Sequence, residues 1–379
     1  MNIGIVCYPT FGGSGVVATE LGKALALKGH QIHFISYQQP VRLDSFHENI
    51  WYHEVNVSDY PLFDYQPYEL VLASKLVDVV KYEKLDLLHV HYAIPHASAA
   101  YMAQQILKTE GIEIPFITTL HGTDITLVGK DASFEPVITF AINQSNAVTA
   151  VSESLKKDTL DHFKINRSIK AIPNFICMEG CESPEMDLEL KQKIAPNGEK
   201  IIAHVSNFRP VKRVCDVVEI FAKVREQIEC KLLLIGDGPD RHLAETFCRE
   251  RGISEDLIVL GKVKDTKHVL GIADLFLLPS EFESFGLAAL EAMAVGVPVI
   301  SSNTGGIPEV NAEGFSGFLS NVGDVEEMAK NALDLLQNEV KLAQFKEQAF
   351  GQAKKFDILN VLPMYEKLYE KVVKHPTNF

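Results

Sequence analysis

Two glutamates eight positions apart, Glu283 and Glu291, stand out as candidates for chemistry. If a helix begins near Phe285, Glu291 lies inside that helix, while Glu283 and the first free amides face the same space. Two carboxylates beside such a helix start can accept hydrogen bonds from hydroxyls at two ends of one ligand. Acids near a helix start are more commonly capping or surface charges. Gly286, between the two acids, and the later loop 305–309 (GGIPE) favour a ligand site over capping or surface charges.

Three cations, Arg209, Lys212 and Arg213, directly follow a predicted strand at 200–208. The chain carries a net charge of −14, so this segment locally inverts the sign of the charge. Arginine supplies a planar fork of donors and lysine a point charge, which together suit a diphosphate. An ordinary solvated loop is the alternative, because lysine and arginine are common in loops.

The first half of the chain offers two further segments that could contact a ligand. The turn 12–15 (GGSG) stands between a predicted strand and a predicted helix, where backbone N–H groups can approach an anion. A tight turn that needs positive φ is an equally good interpretation. The segment His121-Gly-Thr-Asp ends another predicted strand, and ligands of open α/β sheets bind at the carboxyl ends of strands. This position favours a ligand-contacting His121 over a structural histidine.

The elements that must position these residues follow from the alternation of short apolar runs with longer helical patterns, which predicts parallel βαβ units. The first series of predicted strands lies at 3–8, 31–36, 87–92, 116–121 and 147–152, and 169–174 would close the sheet. A second series lies at 200–208, 231–239, 257–261, 275–280 and 298–302. The predicted fold class is therefore α/β, with two Rossmann-like, doubly wound parallel-sheet domains at 1–172 and 173–356.

The last segment, 357–379, predicts a helix with one apolar stripe. The stripe is formed by Ile358, Val361, Leu362, Tyr365, Leu368, Tyr369 and Val372. Pro363 should kink this helix or mark its first turn. A stripe of this kind needs a surface to cover, and the first domain is the expected partner.

Composition limits the class of protein. The 379 residues are 46% hydrophobic and 23% charged, and the negative net charge argues against nucleic acid or an anionic membrane as the main partner. No uncharged apolar run reaches about 18 residues, and the first residues run directly into a strand. We therefore expect a cytoplasmic chain without a signal peptide. Of six scattered cysteines only Cys177 and Cys181 are close together, and we expect no metal site.

Taken together, the second-domain motifs resemble the donor site of retaining GT-B glycosyltransferases of the family 4 type. The E-x7-E pair of Glu283 and Glu291, the R-x-x-K of Arg209 and Lys212 and the GGxPE loop carry this resemblance, which covers nearly the whole chain. Val295 stands where many relatives have cysteine, at a core position. The resemblance implies two domains facing each other across a cleft, the first for an acceptor and the second for a UDP-sugar.

The resemblance also implies roles for individual residues of the second domain. Glu291 would hold the ribose hydroxyls of the nucleotide, and Arg209 and Lys212 would hold the diphosphate. The donor sugar would meet Glu283 and the amides of Phe285, Gly286 and Leu287. The catalytic residues that the resemblance implies are His121, Arg209, Lys212 and Glu283.

Three phrases of the first domain narrow the resemblance further: 7–35, HVHYAIPHA (89–97) and TLHGTDIT (119–126). They resemble the subfamily that glycosylates L-malate in bacillithiol biosynthesis. The resemblance implies that Gly13 faces the diphosphate and that His121 reaches the donor sugar. It implies that the acceptor carboxylates meet Ser14, Tyr92, Thr119 and Thr123.

The implied reaction moves N-acetylglucosamine from UDP-N-acetylglucosamine to the hydroxyl of L-malate with retention of the anomeric configuration. Retention suggests a carboxylate nucleophile, but no residue has the right context, so we favour front-face displacement assisted by the departing diphosphate. The sequence contains no Asp-x-Asp, the usual clamp between a metal and a diphosphate. We therefore expect no divalent metal and no other cofactor. The expected partners are these two small molecules, and a homo-oligomer is left open.

Two alternatives stay open at this stage. A related GT-B glycosyltransferase could act on a lipid or a growing polysaccharide. A lipid acceptor favours a basic, apolar patch, whereas segment 59–68 (DYPLFDYQPY) is aromatic and acidic. A non-catalytic sugar-nucleotide sensor would have lost the reaction residues, but His121, Arg209, Lys212 and Glu283 are all present.

Overall fold

A computed structural model describes residues 1–10, 12–43, 46–57, 66–127, 131–181 and 187–375. The chain divides into two compact units: the first unit comprises Met1–Asn174 and Ile358–Phe379, and the second unit comprises Phe175–Asp357. The break after Asn174 lies two residues beyond the predicted boundary. Residues 59–65 of the acidic aromatic segment and 376–379 of the C-terminal segment lie outside the described residues. Within the described ranges, no helix is long and apolar enough to cross a membrane.

The first unit begins with alternating strands and helices. Its strands are β1 (Asn2–Val6), β2 (Gln31–Ser36), β3 (Ile50–Glu54), β4 (Leu87–His91), β5 (Phe116–Leu120), β6 (Ala147–Ala150) and β7 (Ile169–Ala171). The helices between them are α1 (Gly13–Leu27), α2 (Tyr68–Glu83), α3 (Ser98–Thr109), α4 (Glu135–Gln144) and α5 (Glu153–His162). Short π-helical turns at Ala93–Ala97 and Thr123–Leu127 follow β4 and β5. The strands form one parallel sheet in the order β3-β2-β1-β4-β5-β6-β7.

The second unit repeats this arrangement with a six-stranded parallel sheet. Its strands are β8 (Lys200–Ser206), β9 (Cys230–Gly236), β10 (Leu257–Gly261), β11 (Leu275–Leu278), β12 (Val299–Ser302) and β13 (Gly317–Ser320). Its helices are α6 (Leu188–Ile194), α7 (Val214–Arg225), α8 (Arg241–Glu250), α9 (Thr266–Leu270), α10 (Leu287–Ala294), α11 (Ile307–Val310), α12 (Val325–Leu336) and α13 (Glu339–Lys354). The sheet order is β10-β9-β8-β11-β12-β13.

The burial of the strands explains why they form continuous sheets. Every residue of β4, β5, β6 and β11 is buried, as in a parallel sheet covered by helices on both faces. The edge strand β3 is different, because Trp51 and Glu54 are exposed and no residue is fully buried. Its mixed pattern is the reason that the sequence did not predict it.

In both sheets, the order in which successive strands are added reverses at the first strand, which lies between the second and the fourth strand of the unit. In open α/β sheets this switch point is where ligands bind, outside the carboxyl ends of the strands. In the first unit it brings together the loops after β1 and β4. In the second unit it brings together the loops after β8 and β11. These four loops, together with the starts of the helices that follow them, contain most of the site residues that the sequence predicts.

The last helix, α14 (Ile358–Lys374), belongs to the first unit. It buries all seven residues of the predicted apolar stripe, and Pro363 lies within the continuous helix. Tyr369 reaches the middle of the sheet, where its hydroxyl lies 2.7 Å from Nδ1 of the buried His89. Burial of one large apolar side chain stabilises a folded protein by about 1.5–3 kcal/mol. The apolar residues of the stripe therefore anchor the end of the chain to the first sheet.

Candidate functional site

In the second unit, the loops after β8 and β11 meet through an ion pair. Lys212 Nζ lies 2.6 Å from Glu283 Oε1, and Ser280 Oγ donates to the same oxygen at 2.9 Å. The N–H of Glu281 donates to the carbonyl of Val211 at 2.8 Å and joins the two loops through their backbones as well. The lysine and glutamate side chains are 20% and 14% exposed, so the pair is partly shielded but open to a ligand.

The two glycines of the GGIPE loop hold this arrangement through close backbone contact. A Cβ atom at Gly305 would lie 2.0 Å from the carbonyl oxygen of Glu283, and one at Gly306 would lie 2.4 Å from that of Ser284. The N–H of Gly306 donates to the Glu283 carbonyl at 2.8 Å. Any side chain would force the loops apart, which explains why this loop needs glycine beside Glu283.

The start of α10 lies directly after Glu283. Gly286 has φ of +97°, a left-handed conformation that favours glycine, and among the described residues no side chain caps the helix there. The first amides of α10, beginning at Leu287, are therefore available to an anion or a hydroxyl. Phe285 is buried, with its ring 5.7 Å from that of Phe356, and so fixes the loop rather than lining it.

Glu291 lies one turn into α10 and is partly exposed. Its Oε2 accepts a hydrogen bond of 3.1 Å from Thr266 Oγ1, at the start of α9. The structure thus places Glu283 before the helix and Glu291 within it, as the spacing predicted. Their distinct partners, Lys212 and Thr266, give the two carboxylates different surroundings.

The three cations after β8 also differ from one another. Lys212 pairs with Glu283. Arg213 Nε instead donates to Asp216 Oδ2 at 2.7 Å, so the charge of Arg213 is paired within the first turn of α7. Arg209 is exposed at the start of the turn Pro210–Lys212. The partner of Arg213 belongs to the first turn of its own helix, whereas the partner of Lys212 is Glu283, itself a predicted site residue. Arg209 and Lys212 therefore stay the predicted phosphate-binding cations.

A buried histidine that the sequence did not single out supports this loop. His204 Nδ1 donates to the carbonyl of Leu277 at 2.9 Å, so Nε2 accepts from Ser206 Oγ at 2.8 Å. Ser206 Oγ in turn accepts the N–H of Phe208, which has a strained φ of +37°. Burial lowers the pKa of His204 to about 4, so it stays neutral and fixes the base of the Arg209 loop.

In the first unit, three of the four predicted acceptor residues come together. The hydroxyl of Tyr92 donates to Ser14 Oγ at 2.7 Å, and the Tyr92 side chain also hydrogen-bonds to the exposed Thr123. Tyr92 has a φ of +86°, which is uncommon for a residue other than glycine and costs about 1–3 kcal/mol. This strained residue joins the loops after β1, β4 and β5.

The fourth residue, Thr119, does not belong to this group. It is fully buried within β5, and its hydroxyl lies 2.7 Å from both His89 Nε2 and Thr149 Oγ1. The structure therefore does not support the predicted contact between Thr119 and an acceptor. Thr119 is the penultimate residue of β5, and its side chain takes part in the packed network beneath α14. Its contact with an acceptor stays a prediction that this burial disfavours.

The glycine-rich turn after β1 combines close packing with an open helix start. A Cβ at Gly15 would lie 2.6 Å from the carbonyl oxygen of Thr10, so this glycine is required sterically. Gly12 and Gly13 are exposed, and within the described residues no side chain caps α1 at Gly12. Gly12 has a φ of −73°, and neither Gly13 nor Gly15 has a positive φ, so the interpretation as a turn that needs positive φ is wrong. Packing explains Gly15, and the exposed first amides of α1 leave the anion-site interpretation open.

His121 belongs to a stack of buried aromatic rings. His121 Nε2 lies 2.8 Å from His91 Nδ1, and the Tyr92 ring lies 5.1 Å from the His121 ring. Nδ1 of His96 donates to the backbone carbonyl of His91 at 2.5 Å. Burial lowers the pKa of His121 to about 3 and that of His96 to about 4, so these imidazoles are neutral. His121 can therefore accept or donate one hydrogen bond but carries no charge.

Asp124 holds the loops after β4 and β5 together. Its carboxylate accepts the N–H groups of Ala93 at 2.9 Å and Gly122 at 3.1 Å. Burial raises its pKa to about 6, although these amide hydrogen bonds act in the opposite direction. Sequence reasoning placed Asp124 near the site without a role, and the structure assigns it this backbone-fixing role.

Both halves of the chain match known glycosyltransferase families. Residues 11–179 match the family model described as Glycosyltransferase Family 4, and residues 186–352 match Glycosyl transferases group 1. N-acetyl-alpha-D-glucosaminyl L-malate synthase of Bacillus anthracis is 46% identical over 379 residues, which cover 100% of this chain and 99% of that protein.

Solved structures of low sequence identity share the fold. Anabaena HepE, in complex with UDP and glucose, has a TM-score of 0.82 and 19% identity, covering 98% of this chain and 99% of that one. Sucrose-phosphate synthase from Thermosynechococcus elongatus has a TM-score of 0.78 and 17% identity, covering 99% of each chain. These likenesses confirm the predicted pair of parallel-sheet domains of the GT-B type.

Proposed function

This chain belongs to the family 4, group 1 glycosyltransferases, and on that premise we propose that it transfers N-acetylglucosamine from UDP-N-acetylglucosamine to the hydroxyl of L-malate. The observation that carries the proposal is the full-length match to the Bacillus anthracis N-acetyl-alpha-D-glucosaminyl L-malate synthase. The reaction would be the first step of bacillithiol biosynthesis. The match favours a small acceptor over a lipid or polysaccharide, and an enzyme over a sugar-nucleotide sensor.

The second unit would bind the nucleotide sugar. Arg209 and Lys212 would hold the diphosphate, and Glu291 would accept hydrogen bonds from the ribose hydroxyls. Glu283 and the first amides of α10 would meet the sugar. The 2.6 Å contact between Lys212 and Glu283 supports this division, because it places the groups for phosphate and sugar side by side. When the donor binds, the ammonium group of Lys212 would contact the phosphate as well as Glu283.

The first unit would bind the acceptor through neutral donors. Since the Tyr92 hydroxyl donates to Ser14 Oγ, the hydroxyl proton of Ser14 is directed elsewhere and can reach a carboxylate. The exposed start of α1 adds backbone N–H groups beside Ser14. Neutral donors of this kind suit a dicarboxylate whose charge would otherwise need several buried cations.

The chemistry would be a front-face displacement with retention. The bond between the anomeric carbon and the diphosphate oxygen breaks, and the malate hydroxyl oxygen bonds to that carbon on the same face. The malate proton passes to the departing phosphate, which leaves as UDP. Arg209, Lys212 and the start of α10 would stabilise the negative charge on the leaving group, usually the largest catalytic contribution in such a site. Since side chains supply this charge, no divalent metal would be required.

A UDP-release assay over a panel of acceptors and donors tests the proposal. L-malate with UDP-N-acetylglucosamine should give the highest rate, well above lactate, glycerol and D-malate, and the rate should persist in excess chelator. An acceptor that lacks one carboxylate leaves buried donors unpaired and should be rejected strongly. Equal rates with lactate would refute the malate assignment, and loss of turnover that magnesium restores would refute metal independence.

A further inference from the structure

A group of two histidines and one glutamate lies in the first unit, apart from the residues discussed so far. His33 Nδ1 and His53 Nε2 are 3.0 Å apart, and a carboxylate oxygen of Glu83 lies within 4.8 Å of both. Among the residues that the structure describes, this is the one cluster of three potential ligands with this spacing. We propose that His33, His53 and Glu83 bind a zinc ion that joins β2, β3 and the end of α2.

The strand register brings the two histidines together. His33 on β2 is opposite Trp51 on β3, and His53 is two residues further along the same face of β3. Such diagonal neighbours are within reach of long side chains. In a tetrahedral zinc site with bonds of ~2.0–2.1 Å, two ligand nitrogens lie about 3.3 Å apart. The observed 3.0 Å separation therefore requires a shift of only a few tenths of an ångström.

The ring of His33 is shielded from solvent and fixed in place by its neighbours. His33 is 3% exposed, and the Trp51 ring stacks on it at 5.0 Å. On binding, each imidazole keeps its single proton on the nitrogen that does not face the metal. Two neutral imidazoles and one carboxylate, with water as fourth ligand, form a donor set that zinc accepts.

Glu83 adds an independent observation. It is the last residue of α2, where the helix dipole disfavours a negative side chain. A cation beside Glu83 would offset this cost. Lys75, on the same helix, is a competing charge because it lies close enough to affect His53. Replacing Lys75 with a neutral residue should therefore strengthen zinc binding.

The position of the cluster argues for a structural ion rather than a catalytic one. The carbonyl of Glu83 accepts a hydrogen bond of 3.2 Å from Asn2 Nδ2, at the first residue of β1. Glu83 thus lies at the amino edge of the sheet, whereas the predicted acceptor residues lie at the carboxyl edge. The sequence did not predict the site, since its ligands are distant in the chain and β3 was not recognised.

Calorimetric titration of metal-free protein with zinc chloride tests the proposal. One zinc ion should bind per chain, and His53→Ala and Glu83→Gln should each weaken binding at least about tenfold. Lys75→Met should tighten binding, and His162→Ala, at an exposed histidine of α5, should leave it unchanged. Zinc should raise the unfolding temperature of the wild type but not of His53→Ala.

Cobalt substitution gives a measurement that does not depend on a variant folding. The wild type should show the visible absorption of a tetrahedral cobalt site with nitrogen and oxygen ligands. A thiolate-to-cobalt band would place the metal at cysteines and overturn the proposal. Absence of zinc binding, or binding that His53→Ala and Glu83→Gln leave unchanged, would also overturn it. UDP release by the zinc-free protein should be unaffected, so this result is independent of the proposed transfer reaction.

Discussion

The two units use the same strand order around their switch points but place opposite kinds of chemistry there. The loops of the second unit carry ionised groups that are partly open, chiefly Arg209 and the Lys212–Glu283 pair. The loops of the first unit carry a strained tyrosine, small hydroxyl residues and buried neutral imidazoles. One fold can therefore supply either charge or neutral hydrogen bonds, and the loop residues decide which. This difference is what the proposed reaction would require, with the diphosphate in the second unit and the dicarboxylate in the first.

Removal of the charge at Lys212 should have the largest effect. Lys212→Met should lower the kcat of UDP release by about 10²–10³-fold, because the leaving group loses a preorganised cation. Arg213→Met is the matched control, because Arg213 is the adjacent cation and its partner Asp216 lies in the first turn of α7 rather than in the predicted site, so the rate should change much less. Similar losses in both variants would mean that general positive charge, rather than the placement of Lys212, supports the reaction.

Displacement of the loop that holds Glu283 should have the next largest effect. In Gly306→Ala the new Cβ would meet the Ser284 carbonyl at 2.4 Å and the Phe285 Cα at 2.8 Å, and backbone atoms cannot easily yield. We expect kcat/KM to fall about ten- to hundredfold, as for a small misplacement of catalytic groups. Gly351→Ala is the control, because nothing lies within 4 Å of its Cβ in α13. Unchanged kinetics in Gly306→Ala would contradict the role of the close backbone contact.

Loss of the Tyr92 hydroxyl should affect only the neutral site. Tyr92→Phe should raise the KM for L-malate about three- to tenfold, equivalent to about 0.5–1.5 kcal/mol for one hydrogen bond, with little change in the donor KM. Thr119→Val should instead lower the unfolding temperature and spare both KM values, because Thr119 bonds to His89 and Thr149. Initial rates against each substrate distinguish these outcomes. A raised malate KM in Thr119→Val would restore the original prediction for that residue.

The smallest expected effect is a difference in acid stability between the units. In the first unit, burial lowers the pKa of six histidines from 6.5: to about 3 in His89 and His121, to about 4 in His33 and His96, well below 6.5 in His91, and below 6.5 in His53. Their contribution to stability is present above pH 6.5 and is lost as the pH falls toward these values. Asp124, with its raised pKa, acts in the opposite sense, since its contribution is lost as the pH rises through about 6. Because the histidines outnumber Asp124, acid should on balance destabilise the first unit.

Thermal unfolding measured at about pH 7.5 and about pH 5 tests this difference. Trp51 is the single tryptophan and lies in the first unit, so its fluorescence reports on that unit, while circular dichroism reports on both. At the lower pH the fluorescence midpoint should fall a few degrees below the main circular dichroism transition. Coincident transitions at both pH values would mean that the buried histidines do not set the acid stability of the first unit.

The sequence predicted much of this molecule because its patterns are local. The apolar stripe of α14, the parallel strands and the order of Glu283, Gly286 and Glu291 along one helix start each depend on a few neighbouring residues. The site residues that it missed depend on distant contacts. His204 matters through Leu277 and Ser206, and Asp124 through Ala93. The alternation of histidines in HVHY (89–92) was the available signal for the buried network, since His89 and His91 lie on one face of β4.

Thr119 and β3 show the limits of such reasoning. A threonine near a strand end can face either a ligand or the core. Thr119 contacts His89, and His89 in turn contacts Tyr369, which lies too far along the chain for the sequence to show that the three form one network. The edge strand β3 has too few buried residues to produce a clear pattern, so its pairing with β2 becomes visible only in three dimensions.

The most direct test of the proposed division between a charged donor unit and a neutral acceptor unit is calorimetric binding of UDP alone. We expect Lys212→Met to weaken UDP binding about ten- to hundredfold, as for loss of a hydrogen bond to a charged group, and Tyr92→Phe to bind UDP as tightly as the wild type. Equal weakening in both variants, or weakening in Tyr92→Phe alone, would contradict the assignment of the diphosphate to the second unit.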